Sequence, residues 1–505
     1  MTEFFISTPI YYVNDAPHLG HAYSTINADA FARWRRGMGE KVFFLTGTDE
    51  HGQKVSDAAH AASMSLKEWT DTYARRFENS WKSLLISYDD FIRTTEDRHS
   101  FAVRKFLQVL FDNGYIYLGK YVGSYCVSCE AYYSSADAAD GNCPVHKRLL
   151  TQMEEENYFF RLSAFQELLL DWYKELPDAV IPDFRRNEAL AFIKGGLDDI
   201  SISRSSVTWG ITLPWDETQV CYVWFDALVN YLTGIGYGQN EELFKTWWAN
   251  SHHVLGKDIV RFHCVWWPAM CMAAGISPPT RLLVHGWLLV HGEKMAKSGG
   301  NGVDPISLVE SFGADTIRYF LLREYTLGSD GDFSLNAIES RYDTDLANNI
   351  GNLVSRVTNI VEKSLGGVAP GWSGKAISEE KVDELVSRAV EAWYSFSASK
   401  ALEEVQALVK LANSTLEDRA PWKLSDAVQI AEILGDALAV VQLVGVLVSP
   451  ALVISSSKIL SAIGVDSSEV ADKFKDYLAP GSYHGAQEIK KSPPIFPRIK
   501  NDIKK

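Results

Sequence analysis

The amino-acid sequence predicts an α/β protein in which a parallel sheet is divided by an inserted domain and followed by an α-helical bundle. Three observations lead to this prediction. A strand, a helix and a second strand follow one another closely from the start of the chain, which is the pattern of a βαβ unit and hence of a parallel sheet. The alternation stops near residue 115 and resumes near residue 222. From about residue 342 the apolar residues recur with the period of a helix.

These changes of pattern divide the chain into four segments. Residues 1–114 and 222–341 are predicted to be the two halves of the sheet domain, and residues 115–221 the domain inserted between them. Residues 342–505 are predicted to form the helical bundle with a basic tail. We see neither internal repeats nor a long low-complexity segment in the sequence.

The composition limits the classes of protein to which the chain can belong. Its 505 residues, 46% hydrophobic and 22% charged, suit a globular protein of several domains and exclude a wholly disordered one. The formal net charge of −15 argues against non-specific nucleic-acid binding. Residues 488–505 hold six basic and two acidic residues, which leaves room for a polyanionic partner at that end.

The first half of the sheet domain begins with a β-rich strand, Glu3–Thr8, that stops at Pro9. A helical pattern runs from about Leu19 to Trp34 and is ended by glycines. The next strand, Lys41–Thr46, closes on Gly47, Thr48 and Asp49. Sites in parallel sheets lie at the carboxyl ends of the strands, so we expect functional residues directly after these two strands.

The second half repeats the alternation with a strand at His253–Gly256, a helix from about Asp258 to Ala274 and a strand at Arg281–Gly286. The most apolar stretch of the chain lies in the bundle, at Ala437–Ile454. It contains a glutamine and is interrupted by Pro450, so we interpret it as a buried bundle helix and not as a membrane span.

Cysteines are few, and three of the six cluster. Cys126 and Cys129 form a CxxC pair, and Cys143 and His146 form a CxxH pair. Three thiolates and an imidazole suit tetrahedral Zn²⁺, and a site made entirely of protein ligands is structural; the alternative is a set of free, reduced cysteines. The sparse cysteines and the absence of an apolar leader predict a cytoplasmic protein.

The string His18-Leu-Gly-His21 stands where a strand's end turns into a helix. Histidines three apart share one face of the first helical turn, and helix N-termini attract phosphate. Gly20 has no Cβ, so a flat base is able to lie against the backbone there. We interpret the string as a polyphosphate site; surface histidines or a metal pair are the alternatives.

A second string, Lys294-Met-Ala-Lys297-Ser, precedes two glycines and follows a predicted strand. Lysines on such a loop are able to approach a leaving pyrophosphate as the transition state forms, which raises the rate without tightening the ground state. The alternative is an ordinary solvated basic loop.

Taken together, the two strings resemble the HxGH and KMSKS motifs of class I aminoacyl-tRNA synthetases, with Ala296 as the one departure. Longer strings narrow the resemblance to the methionyl-tRNA synthetase family, of the bacterial-like type with one zinc knuckle, over nearly the whole chain. These strings are Ser7–Asn14, Phe44–Gln53, Tyr222–Leu228, Gly256–His263 and His285–Leu288. The resemblance implies a split Rossmann-like catalytic domain, with an inserted zinc-knuckle domain and a helical anticodon-binding bundle. It also implies an ATP-dependent methionine–tRNA ligase that forms methionyl-adenylate and then esterifies the 3′-terminal adenosine of tRNA(Met).

The resemblance also implies roles for individual residues. The catalytic residues are His18, His21, Lys294 and Lys297, and the ATP-binding residues are Gly20, Gly256, Lys257 and Asp258, with Asp258 on the ribose. Asp49 is implied to pair with the methionine ammonium. The residues implied to enclose the methionine side chain are Ile10, Tyr12, Trp224, Ala227, Leu228, Tyr231, Ile259, Phe262 and His263. Tyr12 and His263 are expected to point hydrogens at its sulfur; taken singly, each aromatic residue also suits plain core packing.

For the nucleic acid, the resemblance implies that Asn352, Arg356 and Trp422 read the anticodon. Read without it, these residues suit a helix-surface pair and a core tryptophan. The further expectations are Mg²⁺ with the ATP phosphates, one structural Zn²⁺, no membrane, and a monomer, since no further tRNA-binding domain follows the bundle.

Three other readings compete with the ligase. The first is a nucleotidyltransferase that shares the HxGH site, although such enzymes are usually shorter. The second is a non-catalytic tRNA-binding protein, for which the two histidines and two lysines would have no purpose. The third is a synthetase for another apolar amino acid, which the short insertion and the pocket strings disfavour.

Overall fold

A computed structural model describes residues 3–126, 131–133, 141–143, 147–295 and 302–498. The strands are β1 (Glu3–Ser7), β2 (Tyr11–Tyr12), β3 (Lys41–Asp49), β4 (Asp90–Arg93), β5 (Ile116–Cys126), β6 (Ala131–Tyr133), β7 (Thr151–Phe160), β8 (Val180–Ile181), β9 (Ile200–Ser201), β10 (Ser203–Arg204), β11 (Val220–Cys221), β12 (Ser251–Gly256), β13 (Arg281–His285), β14 (Leu288–Val290), β15 (Glu293–Lys294) and β16 (Gly331–Asp332).

The helices of the sheet domain and the insertion are α1 (Leu19–Gly37), α2 (Gln53–Ala61), α3 (Leu66–Ser83), α4 (Asp97–Asp112), α5 (Gln166–Glu175), α6 (Asp183–Lys194), α7 (Val223–Leu228), α8 (Asn230–Thr233), α9 (Glu241–Trp248), α10 (Trp267–Ala273), α11 (Pro305–Phe312), α12 (Ala314–Glu324) and α13 (Leu335–Arg341). Those that follow are α14 (Asn352–Leu365), α15 (Glu379–Tyr394), α16 (Ala398–Arg419), α17 (Ala427–Leu447), α18 (Ser455–Ala462) and α19 (Ser467–Asp472).

The main sheet is parallel and has the order β2-β3-β1-β12-β13-β8, with β4 also paired to β3. β1 lies between β3, from the start of the chain, and β12, from beyond the insertion, with Ser7 opposite both Leu45 and His253. Distant halves of the sequence therefore meet along one strand. The predicted α/β class, parallel sheet and helical C-terminal region are confirmed.

The segment between the two halves carries an antiparallel sheet of its own, in the order β6-β5-β7-β9. The same segment also gives the main sheet its edge strand β8, which pairs with β13 through Val180 and Ile181. Two residues are too few to carry a strand signal in the sequence, so this return to the main sheet was not predicted.

Apolar side chains of β1 alternate between the two faces of the sheet. Phe4 and Ile6 join a core with α1 and the bundle, and Phe5 joins a second core on the other face with α4. The bundle packs directly on α1, where the rings of Trp34 and Trp393 stack with their centroids 5.8 Å apart. One helix thus runs from the carboxyl end of the sheet to the bundle.

The predicted apolar bundle helix is α17. By length and composition it would be able to cross a membrane, but 89% of its most apolar window is buried inside the protein. The described part of the chain has one helix of this kind, and its burial agrees with the prediction of a core helix.

Candidate active site

A cavity of about 340 Å³ opens at the carboxyl ends of β1, β3, β12 and β13. Fifteen of the predicted site residues line it: Ile10, Tyr12, His18, Gly20, His21, Asp49, Trp224, Ala227, Leu228, Tyr231, Gly256, Asp258, Ile259, His263 and Lys294. The wall also includes residues that were not predicted to belong to the site, among them Lys54, Asn230, His285 and Trp287. His285 and Trp287 belong to the string His285–Leu288, which carries part of the family resemblance but implies no role for either residue.

The histidine string begins α1 by capping it. The Nδ1 atom of His18 accepts the N–H of Gly20 at 3.1 Å, and the Nδ1 atom of His21 accepts the N–H of His18 at 3.2 Å. A ring that accepts at Nδ1 is neutral and carries its hydrogen on Nε2. The two rings stack with centroids 3.8 Å apart. Both imidazoles are therefore fixed as Nε2–H donors beside the N-terminus of a helix.

Gly20 is required between these histidines for a steric reason. A Cβ on this residue would lie 2.8 Å from Cε1 of the His18 ring. The cap of α1 and the stacking of the two rings therefore depend on a residue without a side chain at this position.

Tyr11 supports His21 from behind. Its ring lies 4.9 Å from the His21 ring and stacks on Phe77 with centroids 5.5 Å apart. Its hydroxyl donates to or accepts from the Thr25 hydroxyl at 2.8 Å, and burial raises the pKa of Tyr11 to about 12. The tyrosine is a neutral support for the imidazole.

A second group of polar residues lies across the cavity, at the end of β12. The ammonium of Lys294 donates to Asp258 Oδ2 at 2.8 Å and stands 4.6 Å from the ring centre of Trp287. Lys257 stands 4.0 Å from the same ring centre and donates to Asp330 at 2.6 Å. Two ammonium groups thus lie against one indole ring.

The charge of Asp258 is set by this arrangement. Desolvation by itself would raise the pKa of Asp258, but the Lys294 ammonium lowers it below its ordinary value. The adjoining His285 receives a hydrogen bond from Ser24 at 2.6 Å, and burial lowers the pKa of the imidazole, which keeps it neutral. This side of the cavity thus offers a carboxylate, ammonium groups and a neutral ring.

The predicted methionine pocket is built mainly from stacked rings. Trp224 stacks on Phe262 with centroids 3.9 Å apart and planes 10° apart, and Tyr12 meets Trp224 edge-on at 6.0 Å. Asp49, at the end of β3, is 2% exposed and lines the same cavity. A buried carboxylate beside flat apolar surfaces suits an ammonium group that is attached to an apolar chain.

His263 differs from the expectation that it offers a hydrogen to a sulfur atom. Its Nδ1 donates to the Ile259 carbonyl at 3.1 Å, and its Nε2 accepts from the Tyr231 hydroxyl at 2.7 Å. Burial lowers the pKa of His263 to about 4, so the ring is neutral. Both nitrogens are thus bonded within the protein, and the geometry contradicts this detail of the predicted pocket.

Three of the predicted site residues lie outside the described part of the chain: Lys297, Cys129 and His146. Cys126 ends β5, which pairs back onto β6 through Ala131. The carbonyl of Cys143 accepts the N–H of Lys147, and the N–H of Cys143 donates to the Arg148 carbonyl. The two cysteines and Leu150 form one small buried cluster. Among the described residues alone, no group of three metal-binding side chains occurs.

The three residues predicted to read an anticodon lie in the bundle. Asn352 and Arg356 are one turn apart on α14, and the Arg356 guanidinium stands 4.7 Å from the ring centre of Trp422. Arg356 also pairs with Glu417 at 3.5 Å. Trp422 is 46% exposed, so this ring is a surface group and not a core residue.

Comparisons with known proteins show which family this chain resembles. A family model described as tRNA synthetases class I (M) matches residues 4–152 and 136–358. A methionine–tRNA ligase of Caldanaerobacter subterraneus is 42% identical over 515 residues, which cover 99% of this chain and 79% of that protein. One of Streptomyces coelicolor is 40% identical, over 98% of this chain and 96% of that protein. The structure of Mycobacterium tuberculosis methionyl-tRNA synthetase in complex with methionyl-adenylate matches with a TM-score of 0.91 and 39% identity, covering 99% of this chain and 100% of that chain.

Proposed function

Because the chain belongs to the methionyl-tRNA synthetase family and is an ATP-dependent methionine–tRNA ligase, we propose that the cavity at the carboxyl edge of the sheet is its active site. The enzyme activates methionine with ATP to methionyl-adenylate and pyrophosphate, and then esterifies the 3′-terminal adenosine of tRNA(Met). One observation carries the proposal: His18 and His21, at the start of α1, and Lys294, some 270 residues later, line the same cavity as Asp49 and Trp224.

In this proposal Asp49 binds the methionine ammonium, and Trp224, Phe262 and Tyr12 enclose the side chain. The other residues assigned to this pocket are Ile10, Ala227, Leu228, Tyr231, Ile259 and His263. His263 contributes shape, because its nitrogens are bonded to Ile259 and Tyr231. A pocket of this kind distinguishes side chains by only about 1–3 kcal/mol for each methylene. Selection of methionine therefore rests on the whole outline of the pocket.

In the same proposal, the nucleotide binds on the other side of the cavity. We assign the ribose to Asp258, the base to the glycine backbone at Gly20 and Gly256, and the phosphates to the Nε2–H groups of His18 and His21. Lys294, Lys297 and Lys257 supply positive charge to the pyrophosphate, and Mg²⁺ that arrives with ATP neutralises the phosphates further.

The reaction then needs no covalent bond to the enzyme. The methionine carboxylate attacks the α-phosphorus in line, and pyrophosphate leaves from the opposite side. Fixed donors that meet the charge as it develops, together with close positioning of the two substrates, account for catalysis of this type. The neutral imidazoles suit this role because they donate hydrogen bonds without a prior change of protonation state.

We further propose that Cys126, Cys129, Cys143 and His146 bind one structural Zn²⁺. The support is the burial of Cys126, at the end of β5, and Cys143 in one small cluster, since thiols brought together in this way suit tetrahedral coordination. The bound ion would hold the two cysteine-containing segments together and stiffen the domain inserted into the sheet domain.

For tRNA, we propose that Asn352, Arg356 and Trp422 contact the anticodon. The half-exposed Trp422 ring next to the Arg356 guanidinium offers both a surface for stacking and hydrogen-bond donors for an unpaired base. The cytoplasmic location and the monomeric state stay predictions from the sequence.

Amino-acid-dependent ATP–pyrophosphate exchange tests the proposal. We expect exchange with methionine and background rates with leucine, isoleucine and valine. Exchange with another of these amino acids would reassign the pocket, and exchange without any amino acid would indicate a nucleotidyltransferase. No exchange under any condition would favour the non-catalytic reading.

A further inference from the structure

Behind the methionine pocket, a buried carboxylate lies between two imidazoles that the reaction does not use. Asp226, on α7, is wholly buried, and its two oxygens face different histidines. Oδ2 lies 2.6 Å from Nδ1 of His51, and Oδ1 lies 2.7 Å from Nε2 of His99. The side chains of His51 and His99 are 8% and 0% exposed. We refer to these three residues as the His–Asp–His cluster.

Hydrogen-bond chemistry fixes the direction of both contacts. An ionised carboxylate only accepts, so His51 donates from Nδ1 and His99 donates from Nε2. Burial by itself would raise the pKa of Asp226, but the two imidazoles lower it to about 2, so the carboxylate stays ionised. The cluster is therefore a pair of directional, charge-assisted hydrogen bonds.

The cluster joins the two elements that hold methionine in the proposed site. His51 follows Asp49 by one intervening residue, at the end of β3. Asp226 lies on α7 between Trp224 and Ala227, which line the cavity. The hydrogen bond between His51 and Asp226 thus connects the segment of Asp49 directly to the helix of Trp224.

The third member fixes this junction to the rest of the protein. His99 lies on α4, whose buried residues belong to the core on one face of the sheet. The Nδ1 atom of His99 lies 3.1 Å from the Thr233 hydroxyl, on the short helix α8 that also carries Tyr231 of the pocket. α7 and α8 are therefore both hydrogen-bonded to His99 on α4, and the end of β3 is connected to the same residue through Asp226.

The segment around Asp49 is held on its other side as well. Glu50, which is wholly buried, accepts from Arg93 at 2.7 and 3.0 Å and from Thr48 at 2.7 Å. The Trp209 indole donates to the Glu50 carbonyl at 2.6 Å. These contacts hold the segment against the sheet and the insertion, whereas His51 provides its direct bond to α7.

We propose that Asp226, held by His51 and His99, is a positioning residue for methionine: it sets the distance between Asp49 and the Trp224 wall, and thereby the affinity for methionine but not for ATP. This inference rests on the methionine site proposed above. Apolar packing would stabilise a buried junction at lower cost than an ionic cluster, so what the cluster adds is a fixed geometry. The assigned ATP contacts among the described residues lie at the start of α1, at the end of β12, in the turn directly after β12, and on β15, all outside the cluster.

The test is the Michaelis constant of each substrate in ATP–pyrophosphate exchange, with rates expressed per active site from titration of methionyl-adenylate formation. For Asp226→Asn we expect the KM for methionine to rise by roughly tenfold or more. The KM for ATP is expected to stay within about twofold of the wild-type value, because its contacts are made by other elements. A merely structural role would lower the number of active sites and leave both KM values unchanged.

Paired substitutions at each histidine provide the rescue. An asparagine amide takes the place of Nδ1, and a glutamine amide takes the place of Nε2. His51→Asn and His99→Gln therefore keep a donor to Asp226, and we expect a KM for methionine within about threefold of wild type. His51→Leu and His99→Leu remove the donor and are expected to behave like Asp226→Asn. The His51 pair decides the question if Asp226→Asn fails to fold.

Asp436 gives a matched control far from the cavity. It is an equally buried carboxylate in α17, and it accepts N–H groups of Ser373, Gly374, Ala376 and Ile377. Asp436→Asn is expected to lower the melting temperature without changing the KM for methionine.

Three results would overturn the inference. They are an unchanged KM for methionine in Asp226→Asn, equal KM values for methionine in His51→Asn and His51→Leu, and a KM for methionine that rises as much in Asp436→Asn as in Asp226→Asn. A wild-type protein without methionine-dependent exchange would instead overturn the proposed function.

Discussion

Lys294 Nζ lies 2.8 Å from Asp258 Oδ2, so a lysine of the KMAKS string is in direct contact with the carboxylate at the end of β12. The two residues stand 36 positions apart in the sequence, Lys294 on β15 and Asp258 in the turn after β12, yet both line one cavity. The contact lowers the pKa of Asp258 in spite of desolvation, so this carboxylate is ionised wherever the enzyme works near neutral pH. A negatively charged acceptor suits ribose hydroxyls, which are donors.

Replacing Asp258 tests its assignment to the ribose. Asp258→Asn keeps the size of the side chain and removes the charge. A hydrogen bond to a charged group contributes about 1.5–3 kcal/mol, so we expect the KM for ATP to rise roughly ten- to hundredfold. The KM for methionine is expected to stay unchanged. Asp383→Asn, on the exposed side of α15, is the control, and an Asp258→Asn enzyme with the same KM for ATP as this control would refute the assignment.

Gly256 allows a steric test of the same subsite. A Cβ at this position would lie 2.7 Å from Asp258 Oδ1 and 3.4 Å from Cε1 of His285. The backbone of Gly256, with φ −77°, is open to alanine, so Gly256→Ala should fold and displace the Asp258 carboxylate. We expect a higher KM for ATP with a melting temperature near that of wild type. Gly481→Ala, where the added Cβ meets open space, serves as the control. Equal ATP kinetics in both variants would contradict the prediction.

Buried neutral histidines predict the acid sensitivity of the fold. Burial lowers the pKa of His252 to about 3 and that of His263 to about 4, whereas an unfolded histidine titrates near pH 6.5. Between these values the unfolded chain binds more protons, so stability falls as the pH drops below 6.5. Each such histidine lowers the free energy of unfolding by up to about 1.4 kcal/mol for every pH unit of this fall.

His252→Asn isolates one of these contributions, since the amide is able to replace the Nδ1 contact with the Asn250 carbonyl without titrating. The measurement is the free energy of unfolding from pH 7.5 to 5. We expect a shallower pH dependence in the variant than in wild type, whatever its absolute stability. Parallel curves would show that this imidazole is not kept neutral by the fold.

Metal analysis tests the proposed zinc site. We expect about one zinc per chain in freshly purified protein, the stoichiometry of a single four-ligand site. Cys143→Ala should lose the metal. Cys271→Ala, in the core of the sheet domain, is expected to retain it. Protein without zinc, or a Cys143→Ala variant with full zinc content, would defeat the assignment.

Much of this molecule was predictable from local sequence signals. The helix predicted to start at Leu19 does start there and continues to Gly37, three residues past the predicted end, because a glycine at a helix end leaves its exact boundary weakly specified. The strand predicted to end at Thr46 runs on to Asp49 and so carries this residue to the edge of the cavity.

Features that depend on contacts between distant segments were not predictable. His51, His99 and Asp226 are separated by dozens of residues, and each is unremarkable in its own segment. The position of Trp287 against Lys257 likewise follows from the meeting of two chain segments, since Trp287 stands beside the β14–β15 hairpin and Lys257 follows β12. The expected role of His263 failed for the same reason, because its partner Tyr231 lies on another helix.

The central claim is that the imidazoles at the start of α1 and the lysines of the KMAKS string act on the same triphosphate. The most direct test is the single-turnover rate of methionyl-adenylate formation at saturating ATP and methionine in His21→Asn, Lys294→Ala and Lys297→Ala. Removing one such transition-state donor costs roughly 10²- to 10³-fold in rate, and we predict losses of that order with methionine affinity within about threefold of wild type. A variant from either group that forms the adenylate at the wild-type rate, or that loses only methionine affinity, would contradict the account.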